Sequence, residues 1–189
     1  MFTIVNLLTV ACVTRIDEGG SVRLGIFVDG SNMLYAQSHN EWNVDWRKVL
    51  EYHEEEGEVT EAHYFSAAPH FKEIAKIEKY RAFKRMLAIN GYTVHDKETK
   101  VLRNHQTGEE KKKGNLDLEL ALTAFELVDN YDRCILYAGD GDYTILAEKL
   151  RQRGRQIYCV CRKQMTATEL INAANRYVNL MTLRDKIEK

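Results

Sequence analysis

Short, continuous apolar runs alternate along the whole chain with stretches of helical periodicity, and this alternation constrains the fold more than any other feature. RLGIFVDG stops at Asp29-Gly30, EVTEAHYFSAAP stops at the single proline, and YTVHDK, RCILYA and RQIYCVC follow at intervals. Between them lie SNMLYAQSHN, VDWRKVLEYHEEEG, HFKEIAKIEKYRAFKRMLAING, LDLELALTAFELVDN, YTILAEKLRQRG and TATELINAANR. The helical stretches carry their own punctuation, with Ser31 or Asn32 and Asp45 as caps and Gly57 and Gly91 as stops. Strands that read as unbroken apolar runs are buried on both faces, so the pattern predicts a parallel sheet covered by helices on both sides. YVNLM is read as a short final extended piece, and 98–115 as a polar, charged stretch without periodicity in which KVLRNHQTGEEK is a candidate hairpin.

At 189 residues, 44% hydrophobic and 29% charged, the chain suits one domain with one sheet. Residues 1–21 are read as an N-terminal extension and 22–189 as the single domain. The apolar run FTIVNLLTVACV is too short to span a bilayer and has nothing basic before Arg15, so no stable membrane association is expected. A formal net charge of -1 names no partner, and any nucleic-acid site has to be a local patch. Cys12, Cys134, Cys159 and Cys161 form no CxxC pair, which suggests reduced thiols and a cytoplasmic setting. The six histidines lack zinc-site spacing.

The chemistry concentrates in acids at the strand ends. Asp29 ends the first strand; Asp140 and Asp142 flank Gly141 after the fourth. In an open parallel sheet ligands sit outside the carboxyl ends of the strands. If the first and fourth strands are neighbours, about 5 Å apart, Asp29 and Asp140 face one crevice. Asp117 starts the helix that leads into the fourth strand and can reach the same edge. Each acid also has a structural use, Asp29 and Asp142 as caps and Asp117 as a charge favoured at a helix start. Together they suit Mg2+ or Mn2+, since hard cations take oxygen ligands. Such an ion activates water and stabilises charge on a phosphoryl oxygen, which points to phosphodiester hydrolysis. Lys111, Lys112 and Lys113 precede the Asp117 helix, with Arg81, Lys84, Arg85, Arg151, Arg153 and Arg155 as further positive charge; Tyr35, Trp42 and Tyr143 are candidate stacking surfaces for RNA bases. A phosphatase that forms a phospho-aspartate, echoed by VDGS and GDGD, would need an aspartate where Phe27 stands.

IFVDGSNMLY, KKKGNLDLELAL and ILYAGDGDYTILAEKLRQRGRQIYCV, in that order, resemble the NYN domain of the LabA-like group within the PIN-like nucleases, over roughly residues 22–181. The resemblance implies a PIN-like α/β fold, an open parallel sheet of order 3-2-1-4-5 with helices on both faces. It also implies metal-dependent RNA cleavage with Asp29, Asp117, Asp140 and Asp142 as catalytic metal ligands. Asn32 matches the family's DGxN asparagine, which steadies the first acid or contacts phosphate; Ser31 and Tyr35 join the lysines as expected RNA contacts. The chain departs from the family at Ala138, where relatives often have serine, and at Thr123, where many carry a further acid. Those departures keep open the alternative of a non-catalytic module that binds RNA or a protein. The expected partner is single-stranded or structured RNA, and a homodimer stays open.

Overall fold

The computed structural model describes residues 20–39, 42–70, 73–103 and 110–189, with the side chains of 100–103 and 110–113 outside that description. Most of the N-terminal extension, including Cys12, therefore lies outside the described residues. In chain order the elements are β1 (Arg23–Asp29), α1 (Gly30–Ser38), α2 (Trp46–Glu54), β2 (Glu58–Ala68), α3 (Ile74–Ile89), β3 (Thr93–Glu98), β4 (Lys100–Arg103) and β5 (Glu110–Lys113). They continue with α4 (Asp117–Glu126), β6 (Arg133–Tyr137), α5 (Thr144–Gln152), β7 (Gln156–Cys161), α6 (Thr168–Ala173), β8 (Arg176–Asn179) and α7 (Arg184–Ile187).

Six strands form one sheet in the order β3-β2-β1-β6-β7-β8, every pair parallel. The expected order 3-2-1-4-5 is thus extended by a sixth strand. The extended piece YVNLM supplies it as β8, which pairs with β7 from Tyr158↔Arg176 to Cys161↔Asn179, and the Tyr177 hydroxyl donates to the Cys161 carbonyl at 2.9 Å. Without β8 the backbone of β7 would end the sheet as an open edge.

Alternation along the strands fills two cores. Ile26 and Val28 of β1 face a cluster with Met33, Trp46, Val49 and Leu87, under α1, α2 and α3. Phe27 faces the other side, with Leu120 and Ala124 of α4, Leu146 and Leu150 of α5, and Leu170 of α6. The central strands β1 and β6 are therefore buried on both faces, as a parallel sheet requires, while β3 toward the edge is half-buried to exposed. α2 begins where Asp45 accepts from the Arg47 and Lys48 N–H groups. α3 follows its predicted span but is mostly exposed: Ile74 keeps 70% of its surface in water and Leu87 alone is buried.

β4 and β5 pair antiparallel as a two-stranded hairpin, from Lys100↔Lys113 to Arg103↔Glu110. The hairpin leaves the sheet at the carboxyl end of β3, where Thr99 N–H donates to Ala68 carbonyl at 3.0 Å, and β5 leads into α4. Cys134, Cys159 and Cys161 are buried free thiols. Among the described residues no helix is long and apolar enough to cross a membrane.

Candidate metal centre

β1 and β6 are neighbours in register, Val28 opposite Tyr137, so their chains leave the sheet side by side at the carboxyl edge. Asp29, the last residue of β1, caps α1 through its Oδ1, which accepts from the Asn32 N–H at 2.9 Å. After β6 the chain makes a single tight turn, Gly141–Tyr143, before α5 starts at Thr144. Asp140 caps that turn, accepting from the Asp142 N–H at 3.1 Å. Asp142 sits inside the turn rather than capping α5. Asp117 is the first residue of α4; Asn115 holds it from both sides, its Oδ1 accepting the Asp117 N–H at 2.8 Å and its Nδ2 donating to the carboxylate.

These placements bring carboxylate oxygens of Asp117, Asp140 and Asp142 within 4.8 Å of one another. Asp140 and Asp142 are exposed and Asp117 half-buried, so the group opens to water. Like charges this close repel unless a cation or shared proton lies among them. The helix start at Asp117 offsets part of that repulsion. With neither imidazole nor thiolate in the group, the donors fit a hard divalent ion.

Asp29 stands outside that triad and is joined to it by Tyr143. The Tyr143 hydroxyl lies 3.0 Å from Asp29 Oδ2 and 3.2 Å from Asp117 Oδ1. A phenol has one proton to donate, so it satisfies one of the two carboxylates at a time. The other contact is favourable when that acid is itself protonated. Burial pushes the Asp29 pKa up, against the lowering effect of the Asn32 N–H and Tyr143 hydrogen bonds, and the Asp117 charge raises it further. Tyr143 itself is pushed far above the phenol range by burial and by the two acids.

Asn32 turns its side chain away from Asp29. Its Oδ1 accepts from the Gly139 N–H at 3.1 Å, tying α1 to the end of β6, while its backbone N–H serves Asp29. Ser31 and Tyr35 lie exposed on α1. Trp42 and Tyr143, read from sequence as stacking surfaces, are 3% and 1% exposed and belong to the cores. Lys111, Lys112 and Lys113 lie on β5 by their backbone, leading into Asp117, and their side chains fall outside the described residues. The other basic groups are largely committed elsewhere. Lys84 pairs with Asp96, Arg155 with Asp129 and Asp132, Arg151 donates to the Ala173 carbonyl, and Arg153 covers the Phe125 ring. The last three sit at or just past the end of α5, away from the turn at its start.

Ala138 is fully buried, and the Cys159 thiol donates to its carbonyl at 3.0 Å. Thr123 lies six residues into α4, about 9 Å along the axis from Asp117, with its hydroxyl on the Glu119 carbonyl. Sequence reasoning missed Glu169. It lies in the first turn of α6, and its Oε1 lies so near Gly141 that a Cβ there would sit 2.6 Å from it. The only signal for it is its place in the first turn of a helix that packs on the acid turn.

The NYN domain family matches residues 23–181 of this chain. Over 170 residues the chain is 36% identical to the low amplitude and bright protein LabA of Synechococcus elongatus, a match covering 88% of each protein. Its fold is similar to the crystal structure of a protein of unknown function from Vibrio parahaemolyticus, with a TM-score of 0.72 over 90% of this chain and 98% of that one, at 24% identity. A family match spanning nearly the whole described sheet, together with a relative of that identity, establishes descent: the chain belongs to the NYN domain family.

Proposed function

We propose that this protein is a metal-dependent ribonuclease, hydrolysing RNA phosphodiester bonds at the carboxyl edge of its sheet. The observation that carries the reading is the convergence of Asp117, Asp140 and Asp142 from two separate segments on one exposed point. Those three side chains would hold a Mg2+ or Mn2+ ion, and the ion when bound would make a water nucleophilic and stabilise charge on a phosphoryl oxygen. Asn115 orients Asp117 from both sides. Asn32 holds the Gly139 backbone, and so the turn that presents Asp140, against α1. Asp29, buried behind Tyr143, holds a proton at Oδ2 more readily than an exposed aspartate and lies within one hydroxyl of the triad. Lys111, Lys112 and Lys113, on the strand entering α4, supply charge for the RNA backbone, and Ser31 and Tyr35 border the edge from α1.

A second reading, RNA binding without cleavage, draws on one observation: both Asp29 oxygens are already engaged, by the Asn32 N–H and by Tyr143. The two readings part in one assay. Labelled single-stranded RNA is incubated with Mn2+, with and without chelator, and with Asp117→Asn and Asp140→Asn. Cleavage should vanish with chelator and fall at least about 100-fold in both variants, since even groups one shell removed from a metal cost about 10–100-fold. RNA that is bound and never cut supports the second reading; cleavage undiminished in both variants removes the first.

A further inference from the structure

On the α1 side of the acids lies a groove of about 640 Å³, between α1 and the chain that follows β7. Asp140 and Asn32 line it, so the groove and the candidate metal centre share Asp140. Tyr35, also in the lining, keeps 63% of its surface in water. That ring is held in place: it meets the His39 imidazole edge-on, with centroids 4.9 Å apart and planes at 69°. The imidazole is fixed in turn, its Nδ1 3.1 Å from Ser38 Oγ and 3.1 Å from the Tyr35 carbonyl. Arg162 closes the rim, its Nη1 donating to the His39 carbonyl at 2.6 Å. An aromatic face buttressed from the edge and left wet does little for the core. It is arranged as a platform for another flat ring.

We propose that this groove is a nucleotide subsite of single-stranded RNA. The base next to the scissile phosphate lies on the Tyr35 ring, the following phosphate meets Arg162, and the scissile phosphate reaches the acids by way of Asp140. The inference rests on the ribonuclease reading and deepens it. It requires an unpaired strand, because a base in an A-form duplex is stacked on its neighbours and cannot lie on the tyrosine.

Fluorescence anisotropy with a labelled RNA dodecamer, Ca2+ replacing Mn2+, tests the assignment on the full chain. Tyr35→Ala should weaken binding about tenfold, in the range one base–aromatic stack provides, and Tyr35→Phe should stay within about twofold of wild type. Arg162→Ala should weaken binding and lower the salt slope by about one phosphate contact. Leu118→Ala, on the exposed α4 surface beyond the acids, should bind as wild type. A blunt duplex of the same dodecamer should be insensitive to Tyr35→Ala. If wild type binds and cuts the single strand while Tyr35→Ala and Arg162→Ala bind it equally well, the subsite is wrong and the ribonuclease reading stands. If wild type binds no RNA, both are wrong.

Discussion

Asp29 caps α1, accepts from Tyr143 and is 7% exposed, three constraints that pull its charge in different directions. Hydrogen bonds favour the ionised form, while burial and the Asp117 charge oppose it, and burial is the largest effect. A carboxyl whose folded pKa lies above its unfolded value contributes stability that is present below the ordinary aspartate range and lost as pH rises through the folded pKa. At neutral pH Asp29 is therefore a cost to the fold. Asparagine caps a helix as well as aspartate; with its Oδ1 on the Asn32 N–H its Nδ2 donates to the Tyr143 hydroxyl, which leaves the phenol proton for Asp117 and removes the buried charge. Asp29→Asn should raise Tm at pH 7, each 1 kcal/mol gained being worth about 2–4 °C in a domain of this size. The difference should close as pH falls below the aspartate range, which thermal denaturation across pH would show. A variant less stable than wild type at pH 7 would mean that the ionised form is the better one for the fold.

At the scale of elements, the connection from β6 to α5 is held by close backbone approach as well as by the Asn32 and Asp140 side chains. Gly139 N–H goes to Asn32, its carbonyl takes the Ala167 N–H at 2.8 Å, and a Cβ on it would lie 2.2 Å from the Met165 carbonyl oxygen. At Gly141 the nearest atom to such a Cβ is the mobile end of Glu169. Gly139→Ala should cost about 2–3 kcal/mol, because backbone has to move; Gly141→Ala should stay within about 0.5 kcal/mol. Urea midpoints separate the two, and equal losses would contradict the packing described. Much of this level is legible in the sequence. Apolar runs ending at Asp29 and just before Asp140 announce strand ends, and helix periodicity after Asp117 places it at the same edge. The rest is set by tertiary contact. β8 is legible as an extended piece, but at four residues its place as a sixth strand beside β7 comes only from pairing. Trp42 follows α1 in a connecting segment, where burial depends on what packs over it. The Tyr143 bridge depends on a tight turn that shifts the start of α5 by one residue from the sequence reading.

For the whole molecule, three acids from two segments meet at one end of a sheet whose order reverses there, β1 lying between β2 and β6. The fold places them; the electrostatic cost of their proximity is what a cation would remove. Binding a ligand to the folded state alone also raises its stability. Isothermal titration of Mn2+ into the metal-free chain, beside Asp140→Asn and Asp117→Asn, tests this most directly. The account predicts saturable binding to wild type that weakens at least about tenfold in each variant. Wild type that takes up no Mn2+, or variants that bind it as tightly, would contradict it.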